Sequence, residues 1–393
     1  MEQSYVQLTW LSKLTLLLVS SLTIMSVITI SPALPQMTLA FKDIENAAFL
    51  VKMILTIPAL MIAIFSPITG NLIDRYGRLK ILKISLITYA ISGSAGYYLD
   101  NIYQILISRV ILGMSVGMSM TIVITLIADY FIGPERQKFV GIQIAFMSLG
   151  GILFIGLGGI LADIGWRYPF LIYLFSLLVL PLTFFFLNEP AGSQKRMEGT
   201  KNIKAPSMIW LLFLNTMFMW IIFFLIPVQI PFHLKALGIE KNSMIGAAIA
   251  MSTACSAISS FSYNKIKGRL NFLNIFMLGY LLMAIGFAFI SFSKSYAMVV
   301  FAMMITGLGI GMMIPNTNMW VMKIVPPEIR GQEIGKLTTF WFLGQFLSPI
   351  IVFPMLSFLS LSATFMVAAV FLLILSVIFL LISFSRGGRS AIQ

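Results

Sequence analysis

Twelve apolar runs, each long enough to cross a lipid bilayer and separated mostly by short polar stretches, constrain this chain more than any other feature. They fall at about 14–34, 47–69, 80–99, 102–127, 139–162, 168–188, 207–230, 243–262, 271–292, 297–322, 335–357 and 362–384. A helix needs about 20 apolar residues to span hydrocarbon. With 59% hydrophobic and only 10% charged residues, the chain has too little polar surface to face water. A soluble domain carries about 25% charged residues. The predicted class is an all-α membrane protein of twelve transmembrane helices. The first run resembles a signal-peptide core but is too long for one and has no small-residue cleavage site after it. It reads as an uncleaved first helix.

The net charge of +13 lies in short loops rather than in a basic stripe interleaved with aromatics, which excludes a nucleic-acid surface. With the N-terminus inside, most cations fall on the cytoplasmic side, among them Arg75, Arg78, Lys80, Lys83, Arg136, Lys138, Lys265, Lys267, Arg269 and Arg330. That asymmetry predicts cytoplasmic N- and C-termini. A single cysteine, Cys255, excludes an internal disulfide, and one cysteine with one histidine leaves no zinc set. No metal and no cofactor are expected.

The polar stretch 189–206 reads as a cytoplasmic linker between bundles at 1–188 and 207–393. A repeat supports two pseudo-symmetric six-helix halves. Arg109-Val-Ile-Leu-Gly113-Met-Ser-Val-Gly117 parallels Met303-Met-Ile-Thr-Gly307-Leu-Gly-Ile-Gly311, and Gly77-Arg78-Leu79 parallels Gly268-Arg269-Leu270. The loops after spans four and ten both read Arg-x4-Gly, as Arg136 to Gly141 and Arg330 to Gly335. Parallel repeats of this kind are one architecture of secondary transporters.

Arg109 is the one cation deep within a span, where a charge is costly unless it meets a cavity or a partner. It reads either as a proton-sensitive or anion-attracting residue or as a structural arginine tied to carbonyls. Lys52 reads as a snorkelling lysine or a weaker candidate. All carboxylates lie in loops or at span ends, which disfavours an organic-cation site; Asp43 and Asp129 remain possible proton sites. Asn215, Trp220 and Gln229 in span seven, Asn316 and Asn318 in span ten, and Trp341 and Gln345 in span eleven read as cavity wall or as interhelical glue. His233 reads as an outer-loop residue. Without a nucleophile–base pair, a mid-span acid pair or a metal set, an intramembrane enzyme is not expected.

Gly70-Asn-Leu72-Ile-Asp74-Arg75-Tyr-Gly77-Arg78-Leu-Lys80 resembles the signature loop between helices two and three of the major facilitator superfamily. Arg109 with Gly113 and Gly117, and Ser31-Pro-Ala-Leu-Pro35, are similar to motifs of its twelve-span drug:proton antiporter branch. Phe342-Leu-Gly-Gln-Phe-Leu-Ser-Pro349 is similar to the arabinose-efflux-permease-like subgroup. Gly141, Gly150, Gly158 and Gly159 match the spacing of the branch's helix-five motif, but Phe154-Ile155 stands where that motif has Gly-Pro.

The resemblance implies the major facilitator fold and a monomeric proton-coupled exporter of a small organic compound, a drug or a metabolite. It would work by alternating access in the bacterial cytoplasmic membrane, with protons and lipid as its other partners. The alternative is a transporter, in either direction, of an anionic solute such as a carboxylate siderophore or organic acid. The resemblance further implies an inner gate of Gly70, Asp74, Arg75, Gly77, Arg78 and Asp129. In it Asp74 faces the start of helix eleven near Gly335, and the arginines pair with Asp129. Ser26 and Gln143 would face the polar residues of spans seven, ten and eleven.

Overall fold

The computed structural model describes residues 8–190, 203 and 205–385, with the side chain of Asp74 outside the described set. Most of the expected linker, 189–206, also lies outside the described residues. The chain divides into two compact units, Met1–Gly199 and Thr200–Gln393.

The first unit contains α1 (Trp10–Ala40), α2 (Ala47–Tyr76), α3 (Arg78–Tyr98), α4 (Ile102–Tyr130), α5 (Gly133–Ile164) and α6 (Tyr168–Phe186). The second contains α7 (Ile209–Ala236), α8 (Asn242–Phe261), α9 (Phe272–Phe292), α10 (Tyr296–Ile324), α11 (Arg330–Leu356) and α12 (Leu361–Phe384). Among the described residues, eleven helices are long and apolar enough to cross a membrane by composition alone. The twelfth, α3, is 21 residues long but dilutes its apolar run with Lys80, Lys83, Ser92, Gly93, Ser94 and Gly96.

Helices are the form these runs must take, because hydrocarbon offers no partner for a free peptide group. Hydroxyls inside the spans donate back to their own helix: Thr15 to the Leu11 carbonyl at 2.7 Å, Ser20 to Leu16 at 2.7 Å and Thr29 to Met25 at 2.6 Å. Ser31-Pro32 interrupts α1 with a 3₁₀ turn, since proline cannot supply the N–H that a continuous helix requires. Thr9, Asn101, Asn271, Ser295 and Ser360 cap helix N-termini through their side-chain oxygens. Large apolar side chains such as Phe185 (79% exposed) and Leu211 remain on the outside of each unit, as a lipid-facing wall requires.

The repeat seen in sequence is a repeat of close helix contacts. A Cβ on Gly113 of α4 would strike Pro58 and Met61 of α2; one on Gly307 of α10 would strike the Ser252 carbonyl of α8. Likewise Gly158 of α5 lies against the Thr29 carbonyl of α1, and Gly344 of α11 against the Met217 carbonyl of α7. Small residues let backbones approach where lipid gives no hydrophobic drive for helix association.

Three expected loops are corrected. The stretch Gly70–Lys80 is almost wholly helical, with Gly77 alone between α2 and α3. The Arg-x4-Gly loops are also mostly helix: Arg136 and Gly141 lie in the first turns of α5, and Arg330 opens α11. Polar residues ended the apolar runs in sequence, but the helices continue past those runs through their polar flanks. His233 is not a loop residue either; it lies in the last turn of α7 and is 4% exposed.

Candidate functional site

At the α2–α3 corner, Gly77 has φ +83°, and a Cβ there would sit 3.2 Å from a Glu189 carboxylate oxygen. The positive φ therefore calls for glycine. The turn delivers the first N–H groups of α3 to Glu189, which accepts from Arg78 N at 2.6 Å and Leu79 N at 2.8 Å. A carboxylate at a helix N-terminus satisfies orphan donors and complements the dipole. The Arg78 side chain turns the other way and donates Nε to Asp129 Oδ2 at 2.8 Å; the two side chains are 9% and 10% exposed. The Tyr130 hydroxyl donates to the Asn188 carbonyl. One corner thus ties the ends of α2, α3, α4 and the segment after α6.

Of the expected gate residues, Arg78, Gly77 and Asp129 meet here. Arg75 does not; it is exposed and lies over the Tyr76 ring at 5.2 Å. Gly70 has open space around it. Glu189, read in sequence as the start of a linker, is the residue that sequence reasoning missed. Its only signal was an acid directly before a proline at the end of span six.

The second unit has no copy of this pair among its described residues. In the register that matches Gly113 to Gly307, Lys323 stands where Asp129 stands. Nearby, burial and the like charge of Lys323 push the Lys267 ammonium below its usual pKa.

Arg109 is fully buried inside the first unit. Its Nη2 donates to the Ser92 and Gly93 carbonyls of α3 at 3.0 and 2.5 Å. Its guanidinium lies 4.9 Å from the Phe170 ring and 5.0 Å from that of Tyr173, both in α6. Gly93 and Gly96 make room for those rings, because a Cβ on either would strike Tyr173 or Phe170. Tyr89 and Tyr173 in turn donate to α1, at Leu22 O (2.9 Å) and Ser26 O (3.3 Å). Of the two sequence readings, this geometry matches the arginine tied to carbonyls, with π faces in place of a carboxylate. Lys52 does not snorkel; it is 4% exposed within α2.

The other polar candidates divide into satisfied and unsatisfied groups. Asn316 is paired at both ends, accepting from the Tyr263 hydroxyl at 3.1 Å and donating to Phe272 O at 3.0 Å. Gln143 donates to Ser20 Oγ at 2.8 Å, and Ser26 Oγ to Thr23 O at 2.7 Å. Asn215 accepts from Tyr280 at 2.7 Å, leaving its Nδ2 without a partner. Trp220 of α7 and Trp341 of α11 stack at 4.3 Å and 18°, and neither buried indole N–H has a hydrogen-bond partner. Gln229 Nε2 and Gln345 Oε1 are also buried without partners. Asn318 lines a small gap beside the indole pair. His233 Nε2 lies 2.8 Å from Ser293 Oγ, whose own proton goes to Ile290 O at 2.7 Å, so the imidazole is the donor. Among the described residues no group of acids, histidines or cysteines could hold a metal.

The Bacillibactin exporter of Bacillus subtilis (strain 168) is 26% identical over 344 residues, covering 81% of this chain and 83% of that protein. The class H tetracycline resistance protein of Pasteurella multocida is 28% identical over 222 residues, 55% of each chain. Quinolone resistance protein NorA of Staphylococcus aureus is 34% identical over 137 residues, 35% of each. Among solved structures, a D-xylose-proton symporter superposes with a TM-score of 0.77 at 18% identity, covering 94% of this chain and 97% of that one. A bacterial homologue of the lysosomal transporter Spinster, inward-facing and occupied, also gives 0.77, at 17% identity over 94% and 96%. The Major Facilitator Superfamily model matches residues 16–349 and 241–391. This chain, with its two six-helix units, is an integral membrane protein belonging to the Major Facilitator Superfamily.

Proposed function

We propose that the chain is a proton-coupled exporter of a small organic compound, in the drug:proton antiporter branch and working by alternating access. It would act as a monomer in the bacterial cytoplasmic membrane with both termini inside. The observation that carries the reading is the match over 81% of the chain to a protein named as an exporter. The Arg78–Asp129 pair supplies a device for it: a nearly desolvated charge pair at one corner can bias a two-state equilibrium by the few kcal/mol that switching requires. Asp74, whose side chain lies outside the described residues, would belong to the same gate, with Gly70 and Arg75. Because arginine stays protonated at any working pH, Arg109 would act on a neighbour and not carry the proton; Asp43 and Asp129 are the candidate carriers.

A second reading, transport of a specific anionic solute such as a carboxylate siderophore or an organic acid, is favoured by one observation. No carboxylate sits mid-span in the sequence to attract a cation. The test is flux in proteoliposomes under an imposed pH gradient, with cationic, neutral and anionic solutes side by side. Gradient-driven movement of any class supports a coupled transporter, and the class moved separates the two readings. Movement that ignores the gradient removes the proton coupling.

A further inference from the structure

The small residues that dilute α3 divide into two sets. Gly93 and Gly96 make room for the Tyr173 and Phe170 rings of α6. Ala90, Ser94 and Ala95 instead floor a groove of about 350 Å³ between α3 and α6, and the exposed side chains of Ile91, Tyr98 and Leu177 form its rims. Ser94 Oγ donates to the Ala90 carbonyl at 2.8 Å, so the floor offers an occupant apolar surface only. Exposed rims put the groove on the outside of the first unit, as do Leu178 and Phe185 farther along α6. In an integral membrane protein, hydrocarbon is the medium that meets such a wall.

The groove's length and the charges at its end narrow the occupant. Its lining runs along α3 from Ala90 to Leu99, roughly 14 Å of helix at about 1.5 Å per residue. Half of the ~30 Å hydrocarbon core is close to that length, so the groove covers one leaflet. Where it ends, Arg167 Nη1 donates to the Leu99 carbonyl at 2.8 Å and Nη2 to the Asp100 carboxylate. Trp166 lies 4.2 Å from the guanidinium, and Tyr97 meets Tyr98 and Tyr168 edge-on at 5.2 and 5.8 Å. Amphipathic rings gather in this way at a membrane–water boundary. The charge pair stays open to a visitor, because the Arg167 and Asp100 side chains are 31% and 89% exposed. One cation beside one anion complements a headgroup that carries both signs.

We propose that this groove seats one membrane phospholipid whose zwitterionic headgroup ends in a primary ammonium. One acyl chain lies over Ala90, Ser94 and Ala95, the phosphate accepts from the Arg167 guanidinium, and the ammonium donates to Asp100. A choline headgroup has the same charges but no N–H to give. A glycerol headgroup leaves Asp100 facing a lipid of net negative charge.

The test uses the full chain in mild detergent and native mass spectrometry with three added lipids. Phosphatidylethanolamine, phosphatidylcholine and phosphatidylglycerol with identical palmitoyl-oleoyl tails differ only in the headgroup. One ethanolamine lipid per chain is expected to be held about tenfold more tightly than either comparator. Asp100→Asn is expected to erase that preference and leave retention of the other two lipids unchanged. Ala95→Leu fills the groove and is expected to lower ethanolamine-lipid retention about tenfold. Phe185→Ala, exposed on α6 outside the groove lining, is expected to change nothing. Should Ala95→Leu lose its monodisperse elution, Leu177→Trp at the exposed rim carries the same expectation. Equal retention of the three lipids, a preference that survives Asp100→Asn, or retention untouched by the groove-filling variants overturns the proposal. A dimer that excludes lipid in the same spectra gives the groove to a second copy of the chain and overturns it as well. The readout involves no flux, so it stands or falls apart from the transport reading.

Discussion

Glu189 and Arg78 are 111 residues apart in sequence, yet the Glu189 carboxylate accepts the Arg78 backbone N–H at 2.6 Å. The same arginine sends its side chain to Asp129, so one residue links a helix cap to an ion pair. The cap holds the backbone from which the guanidinium reaches out, and loosening one loosens the other.

Glu189→Ala is expected to lower the unfolding free energy by about 1 kcal/mol, the usual worth of a lost N-terminal cap. It should also reduce flux more than that loss explains, because Arg78 is then poorly held. Glu189→Gln keeps one acceptor oxygen and is expected to recover part of both. Thermal unfolding and proteoliposome flux on the same preparations measure the two effects. Wild-type flux in the alanine variant would show that the cap only braces the fold.

Arg78→Ala leaves Asp129 charged in a site where it is 10% exposed. Removing one partner of a buried pair costs about 3 kcal/mol or more, whereas removing both costs much less. Asp129→Asn combined with Arg78→Met is therefore expected to be more stable than Arg78→Ala, yet still defective in flux if the pair holds one transport state. The chain's single cysteine, Cys255, is buried, so a Cys255→Ser background permits accessibility labelling of the two states. An unchanged labelling ratio in the double variant removes the gating role.

Gly158→Ala should force α1 and α5 apart, because the new methyl meets the Thr29 carbonyl, which cannot rotate away as a side chain could. Overpacking of this sort costs about 1–3 kcal/mol. Gly156, two residues earlier, has open space, and Gly156→Ala is expected to be neutral or slightly stabilising through helix propensity. Matching melting temperatures for the two variants would contradict this account of the contact.

The all-α class and the spans were legible because hydropathy over 20 residues is a strong local signal. The limits were the helix ends. Polar residues such as Asp74, Arg136 and His233 close an apolar run, but backbone hydrogen bonding carries the helix further. Glu189 was hidden because its partners, Arg78 and Leu79, lie far off in sequence. The Trp220–Trp341 pair could be singled out as two tryptophans in spans. Nothing local said that they would stack on each other with both N–H groups unmet. Cap geometry and unmet valence belong to three-dimensional packing, and no spacing rule reports them.

Arg109 is where sequence left two readings open and geometry distinguishes them most sharply. Its Nη2 alone holds two carbonyls of α3, Nε and Nη1 are buried without a partner, and the flat face of the guanidinium lies against two rings of α6. Arg109→Lys keeps the charge but loses the flat face that packs on the two rings, and is expected to destabilise the protein nearly as much as Arg109→Ala. The alanine variant also leaves a large void, costing about 2–4 kcal/mol. Arg109→Met fills much of that void without a buried charge and is expected to be the most stable of the three. If the residue is structural, the methionine variant should also bind solute and respond to a pH gradient as wild type does. If Arg109 instead tunes a proton site, the methionine variant should bind solute normally and lose its response to the gradient. Unfolding, binding and gradient-driven flux on the three variants read these outcomes separately, and full rescue by lysine alone would overturn the structural account.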